Sequence, residues 1–371
     1  MSADFPKDVS FPQKVLFHEG ALAELPREAS EFGADGLIVH GASFKKSKAA
    51  ASLIKTLKKN GLRAEFYARS GGEPALAEIT KVIEKAREKK TRWIAGIGGG
   101  SVIDLAKAAA GLFRAKKDPV YYQEGGALEK AGIPFIAVPT TAGAGSEATP
   151  NAVITNPAKK TKLSIRDKSF LAKKVILDPG LLADLPSPVI CHSGMDALVQ
   201  AYESFISKNA TWFSEAFALK AVRLIHHHLL SAVESRSPES LSSMLLASFF
   251  AGTALAASRL GVIHGIAHPL GALYGEPHGL VCSACFLPSI KLNRDAMGKK
   301  YDSLSQAVGT DFFKRVEGLM TALDIRSPFK GKEILEEEMI LRETLASGST
   351  AANPKPVTRE DVEFLLKELF L

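Results

Sequence analysis

Between residues 36 and 138 short apolar runs alternate with amphipathic stretches of helical period, and beyond residue 188 that alternation stops. Gly36-Leu37-Ile38-Val39, Ala64-Glu65-Phe66-Tyr67, Trp93 to Ile97 and Pro134 to Val138 read as strands. Ser47 to Asn60, Ile79 to Lys90 and Val102 to Phe113 read as the helices between them. Strands regularly separated by helices require right-handed crossovers, which gives a parallel, doubly wound α/β sheet. After Leu185-Pro186-Ser187-Pro188 the chain turns to Ala, Leu and Ser at helical spacing, as in Trp212 to Leu230, Pro238 to Ser258 and Arg359 to Phe370. The expected organisation is an α/β domain over residues 1–187 and an all-helical domain over 188–371. At 371 residues the chain is long enough for two cores.

Net charge is +7, but the basic residues fall in scattered pairs such as Lys58-Lys59, Lys116-Lys117 and Lys159-Lys160, with acidic residues between. That is a solvated surface more than a phosphate track, so nucleic acid is not the expected partner. No uninterrupted apolar run reaches the roughly 18–20 residues that span a bilayer, and MSADFPKDVSFPQK is too polar for a secretory signal. Three cysteines make no disulfide framework, which points to the cytoplasm. Neither a membrane nor a nucleic acid is expected as a partner.

Two glycine-rich turns follow strands. The first, Gly96-Ile97-Gly98-Gly99-Gly100-Ser101, runs from a strand into a helix. Glycines there let the backbone approach a pyrophosphate while the free N–H groups of the helix start hold its charge. Asp104 and Lys107, one turn in, are placed to cap the helix or to touch a ribose. The second, Pro139-Thr140-Thr141-Ala142-Gly143-Ala144-Gly145-Ser146-Glu147-Ala148-Thr149, alternates hydroxyls with small residues. Two such loops at neighbouring strand ends flank the crevice where dinucleotides sit.

Among nine histidines, His226-His227-His228 point three ways from one helical run and cannot share a metal. His264 and His268 are i and i+4, as are Asp196 and Gln200, and His278 follows in Glu276-Pro277-His278-Gly279. One carboxylate with two or three imidazoles suits a divalent metal that keeps a position open for substrate. Histidines packing a glycine-rich elbow are the alternative. Cys282-Ser283-Ala284-Cys285 has no second cysteine pair and reads as buried packing residues.

Over nearly its whole length the chain resembles the iron-containing (group III) alcohol dehydrogenase family. The resemblance rests on Gly98-Gly99-Gly100-Ser101-x-x-Asp104-x-x-Lys107 and Pro139-Thr140-Thr141-x-Gly143-x-Gly145-Ser146-Glu147. It continues in Gly194-Met195-Asp196-Ala197, His264-x-x-x-His268-Pro269-Leu270-Gly271 and Pro277-His278-Gly279. It implies a nucleotide-binding α/β domain, a helical domain and an active site in the cleft between them. It also implies a metal held by Asp196, His264 and His278, with His268 a nearby proton relay outside the ligand set. The remaining ligand position, His in many members, is Gln200 here. An amide oxygen is a harder and weaker donor, so the site is expected to bind Fe²⁺ or Zn²⁺ less tightly, to accept Mn²⁺ or Mg²⁺, or to leave Gln200 outside the ligand set.

By position, the resemblance makes Thr140, Thr141, Ser146, Thr149 and Lys162 cofactor contacts beside Gly98, Gly99, Gly100, Ser101 and Asp104. NAD-specific members carry an Asp at the end of the strand Leu37-Ile38-Val39; Gly41 aligns with it here, followed by Ser43, Lys45 and Lys46. Without that carboxylate a 2′-phosphate is not repelled, so NADP(H) is expected over NAD(H). The implied reaction is metal-dependent hydride transfer between NAD(P)(H) and a small alcohol, aldehyde or ketone, by a homodimer. The alternatives are a polyol dehydrogenase of glycerol dehydrogenase type, a cyclase resembling dehydroquinate synthase, and a non-catalytic nucleotide-binding paralogue weakened by Gln200.

Overall fold

The computed structural model describes residues 9–159 and 161–371. Most of the polar amino-terminal stretch and Lys160 of the Lys159–Lys160 pair lie outside the described residues. Two compact units are present: Ser10–Thr141 with Gly145–Leu185, and Ala142–Ala144 with Pro186–Leu371.

The first unit runs β1 (Lys14–Phe17), α1 (Leu25–Ser30), β2 (Asp35–Gly41), α2 (Lys48–Lys59), β3 (Arg63–Arg69), α3 (Leu76–Glu88), β4 (Trp93–Gly98) and α4 (Gly100–Gly111). It continues with α5 (Pro119–Gln123), β5 (Phe135–Pro139), β6 (Asn151–Asn156), β7 (Thr161–Arg166) and β8 (Lys174–Leu177). Six strands pair in parallel in the order β1-β8-β5-β4-β2-β3, and β6 and β7 form a separate antiparallel pair. Every residue of β4 and β5 is buried, as a parallel sheet covered on both faces requires, which is why they read as unbroken apolar runs.

Local chemistry sets the helix boundaries. The Ser47 side chain accepts from the Ala50 N–H and starts α2, and Gly61, at φ +70, ends the turn after it. α3 begins ahead of the expected Ile79 because the Glu78 carboxylate reaches back to the Ala75 N–H at 3.2 Å. From β2 the chain winds outward to β3, then returns across β2 to β4 and winds the other way to β5. The carboxyl ends of β2 and β4, Gly41 and Gly98, therefore flank the topological switch point, where open α/β sheets bind ligands.

The second unit holds α6 (Ser187–Ile206), α7 (Trp212–Glu234), α8 (Pro238–Ser258), α9 (Val262–Tyr274) and α10 (His278–Met297). It closes with α11 (Lys299–Val308), α12 (Phe312–Ala322), α13 (Glu337–Ala346) and α14 (Arg359–Phe370). From Gly194 to Ile206 every residue of α6 is buried, and the helix packs against α7, α8 and α10. α8 is long and apolar enough to cross a membrane by length and composition, although most of it is buried inside the unit. A search for uninterrupted apolar runs passes over it because serines break the run. Burial of this kind is what a core helix also shows.

Candidate functional site

Three helices of the second unit each present an i,i+4 pair: Asp196 and Gln200 on α6, His264 and His268 on α9, His278 and Cys282 on α10. Such pairs project from one face of a helix. The Asp196 side chain is only 8% exposed, and its Oδ1 lies 3.5 Å from His264 Nε2 and 3.9 Å from His278 Nε2. Asp196 Oδ1 accepts no well-formed hydrogen bond. One donor atom from each of Asp196, His264, His278 and Cys282 lies within 4.8 Å of the others. Gly279 brings α10 this close: a Cβ there would stand 2.2 Å from the His192 carbonyl oxygen and 3.4 Å from Asp196 Cβ.

Glu203 supports the cluster from one side. Its Oε2 lies 2.6 Å from His264 Nδ1, and its Oε1 accepts from the Ile263 N–H at 2.6 Å. With the proton held on Nδ1, the lone pair of Nε2 faces Asp196, which is how a metal-bound histidine is oriented. Burial opposes a charge on His264, but Cys282, Asp196 and Glu203 together hold its protonated form well above the usual imidazole range. The donor set and the orphaned carboxylate oxygen fit a divalent cation, which would take the place of a proton on His264 Nε2. Burial pushes the Cys282 thiol up to about 11.

Sequence reasoning did not single out Glu203, although it follows Asp196 by seven residues and so shares its helix face. Gln200 lies beside the cluster and is held through its amide nitrogen. Its Nε2 donates to Asp196 Oδ2 at 3.1 Å and to the Gly143 carbonyl at 3.2 Å. Two acceptors facing one amide atom identify it as the NH₂, which leaves Oε1 as the amide's donor atom toward a metal. The His268 ring, half-buried, stacks on His278 with centroids 5.5 Å apart.

In the α/β unit the expected cofactor residues separate into two groups. Gly41, Gly99, Gly100, Ser101, Thr140 and Thr141 are half-buried and Ser43 is exposed, all beyond the carboxyl ends of parallel strands. Gly98 is buried at the end of β4, where a Cβ would meet Val102 at 2.6 Å, and its carbonyl accepts from the Thr140 N–H. The two loops are thus joined at their roots.

Asp104, Thr149 and Ser146 form the other group, and they are buried. Lys107 Nζ donates to the Ser146 carbonyl at 2.5 Å, Thr149 Oγ1 at 3.1 Å and the Asn151 carbonyl at 2.7 Å, and lies 3.6 Å from Asp104 Oδ1. Asp104 Oδ2 accepts from the Val153 N–H. Burial pushes the Asp104 carboxyl up and the Lys107 ammonium down, and their mutual attraction opposes both shifts. Asp104 Oδ2 and Thr149 Oγ1 help tie α4 to the second loop, while Asp104 Oδ1 is buried without a hydrogen bond. Lys162 pairs with Glu73 at 2.8 Å.

Arg69, not anticipated from sequence, ends β3 beside Gly41 in register. Its Nη1 donates to Ser101 Oγ at 3.0 Å, while its buried Nε and Nη2 make no hydrogen bond. The Glu78 carboxylate lies 3.6 Å from its Nε.

His40 and His226 behave as packing groups. His40 is buried between Phe44 and Phe66, with Nδ1 on the Gly41 carbonyl. His226 accepts from Arg315 Nε at 2.6 Å, and burial with that neighbouring cation lowers its pKa to about 4.

Residues 12–179 match the iron-containing alcohol dehydrogenase family, and residues 190–370 match the carboxyl-terminal domain of the Fe-containing alcohol dehydrogenase family. The chain is 29% identical to NAD-dependent methanol dehydrogenase of Bacillus methanolicus, covering 96% of this chain and 98% of that one. It is 26% identical to NADPH-dependent butanol dehydrogenase of Clostridium saccharobutylicum, covering 95% of each. The solved alcohol dehydrogenase from Oenococcus oeni superposes with a TM-score of 0.92 at 27% identity, covering 98% of this chain and 100% of that one. The chain belongs to the iron-containing alcohol dehydrogenase family and is an alcohol oxidoreductase.

Proposed function

We propose that this dehydrogenase interconverts a small alcohol with its aldehyde or ketone at a metal centre on Asp196, His264 and His278, with NADP(H) preferred over NAD(H). The observation that carries the metal reading is Asp196 Oδ1, buried and unbonded between two imidazole nitrogens. When bound, the metal supplies a Lewis acid for the alcohol or carbonyl oxygen, and the dinucleotide gives or takes the hydride. Glu203 fixes the His264 tautomer, and Gln200 holds the second oxygen of Asp196. His268, half-buried against His278, is placed to carry the alcohol proton, since imidazole titrates near neutrality. Gly98 to Ser101, at the amino end of α4, receive the pyrophosphate.

The coenzyme preference rests on Gly41. A Cβ there would meet nothing within 4 Å, so the strand end has room for a phosphate where a carboxylate would repel one. Exposed Lys45 and Lys46 follow in the next turn, and Arg69 stands beside Gly41 in register. A homodimer is the proposed assembly. Among the described residues β1 pairs on one side only, with β8, and exposes Val15 and Phe17. Three unpaired, buried cysteines support a reducing, cytoplasmic setting.

The test is oxidation of NADPH and NADH with a panel of small aldehydes and ketones, on metal-loaded and chelator-treated enzyme. Metal-dependent turnover with higher kcat/KM for NADPH is expected. Turnover indifferent to chelation would overturn the metal reading, and a marked NADH preference would overturn the coenzyme reading.

A further inference from the structure

We propose that Cys282 is the fourth protein ligand of the metal centre, occupying the coordination role that Gln200 does not fill, and that its thiolate tunes the centre toward Zn²⁺. The inference rests on the metal reading above and adds a donor to it.

Geometry provides the case. Cys282 lies one turn along α10 from His278, so the two side chains share a helix face. Its Sγ stands 3.6 Å from His278 Nε2, the same nitrogen that faces Asp196 Oδ1. The residue is fully buried, and among the described residues it completes the group of four converging donors. Independently of the cysteine, the orphaned oxygen of Asp196, on a side chain more than nine-tenths buried, is aimed into the same space. The Gln200 amide is held through its NH₂ by Asp196 Oδ2 and the Gly143 carbonyl, and turning it would set its carbonyl oxygen against those two acceptors. Cys285 is buried on the same helix but stands outside the donor group, so the C-x-x-C spacing itself has no part in this site.

The coordination chemistry follows from the donor set. One carboxylate, two imidazoles and one thiolate match the borderline-soft, tetrahedral preference of Zn²⁺ and disfavour Mg²⁺ and Mn²⁺, which take oxygen donors. As the sulfur–metal bond forms, the S–H bond breaks and its proton leaves to the buffer, with no change of oxidation state at either atom. A fifth position for the substrate oxygen is compatible with zinc, whose coordination expands during catalysis.

Zinc K-edge X-ray absorption on the wild-type, zinc-loaded enzyme reads the ligands without any substitution. One sulfur scatterer at about 2.3 Å is expected; a shell of nitrogen and oxygen alone overturns the proposal while leaving the dehydrogenase reading intact. The cobalt-substituted enzyme gives a second readout. Wild type should show a near-ultraviolet thiolate-to-cobalt charge-transfer band that Cys282→Ser loses, while its visible ligand-field bands show cobalt still bound. A band absent from wild type, or unchanged in Cys282→Ser, overturns the assignment. Failure of wild type to bind cobalt or zinc contradicts both this inference and the metal reading beneath it.

Discussion

Glu203 Oε2 and His264 Nδ1 lie 2.6 Å apart in the buried interior of the helical unit, and that contact fixes which imidazole nitrogen faces Asp196. Glu203→Gln keeps the shape but weakens the acceptor and releases the tautomer. Metal affinity should fall about ten- to a hundredfold, the usual consequence of losing a carboxylate behind a ligating histidine. Competition with a chromophoric chelator measures it, and unchanged affinity would remove Glu203 from the centre.

Gly41→Asp tests the coenzyme reading. The strand end has open space and an ordinary backbone conformation, so the new side chain should fit without strain. It supplies an acceptor for a ribose hydroxyl and repels a 2′-phosphate, shifting preference toward NADH by about 1–3 kcal/mol. Steady-state kcat/KM with both coenzymes gives the answer, and an unmoved ratio would place the discriminating contact elsewhere.

Lys107→Met should be among the most destabilising single changes in the α/β unit. It removes three donated hydrogen bonds and strands a buried Asp104. Breaking one side of a buried pair costs about 3–5 kcal/mol. Urea unfolding measures the loss, and the double change Lys107→Met with Asp104→Leu should recover part of it. A loss below about 1 kcal/mol would show that the knot is not a structural tie.

Glu147 gives a pH signature. Burial pushes its carboxyl up to about 7, with nearby Lys107 opposing the shift. Its folded pKa is raised above the unfolded value, so the folded state binds the extra proton between about pH 4.5 and 7. This group's contribution is fully present below pH 4.5 and is lost as pH rises through 7. Glu147→Gln should remove that slope, on the order of 1–3 kcal/mol across the window. Denaturant midpoints of both proteins from pH 4.5 to 7.5 test it, and parallel curves would contradict it.

Much of this architecture was legible because the residues concerned serve one purpose each. β4 and β5 are buried on both faces and read as unbroken apolar runs, while α8 and α14 have the bounds their spacing gives. The short strands β1 and β8 were not legible: four residues each, held by pairing with neighbours distant in sequence. β6 and β7 flank Asn156-Pro157, which marks a turn, but β6 lacks a regular polar–apolar alternation and the ladder is what identifies the pair. At the site, i,i+4 spacing revealed which histidines share a face, but spacing within a helix says nothing about what a neighbouring helix presents. Cys282 and Glu203 come beside Asp196 and His264 from α10 and α6 through packing, and the Gln200 amide nitrogen is held by a carbonyl 57 residues earlier in the chain. Asp104 and Thr149 belong to a cofactor motif, and their burial beside Lys107 is a packing fact that the motif does not carry.

The most direct test of the account is metal reconstitution of chelator-treated enzyme, followed by NADPH oxidation with a small aldehyde. Activity should return in proportion to added Zn²⁺ or Fe²⁺ and saturate at one ion per chain, and His264→Ala should bind NADPH but recover no activity. Full activity in the metal-free enzyme, or in His264→Ala, would contradict a metal-assisted dehydrogenase centred on Asp196, His264 and His278.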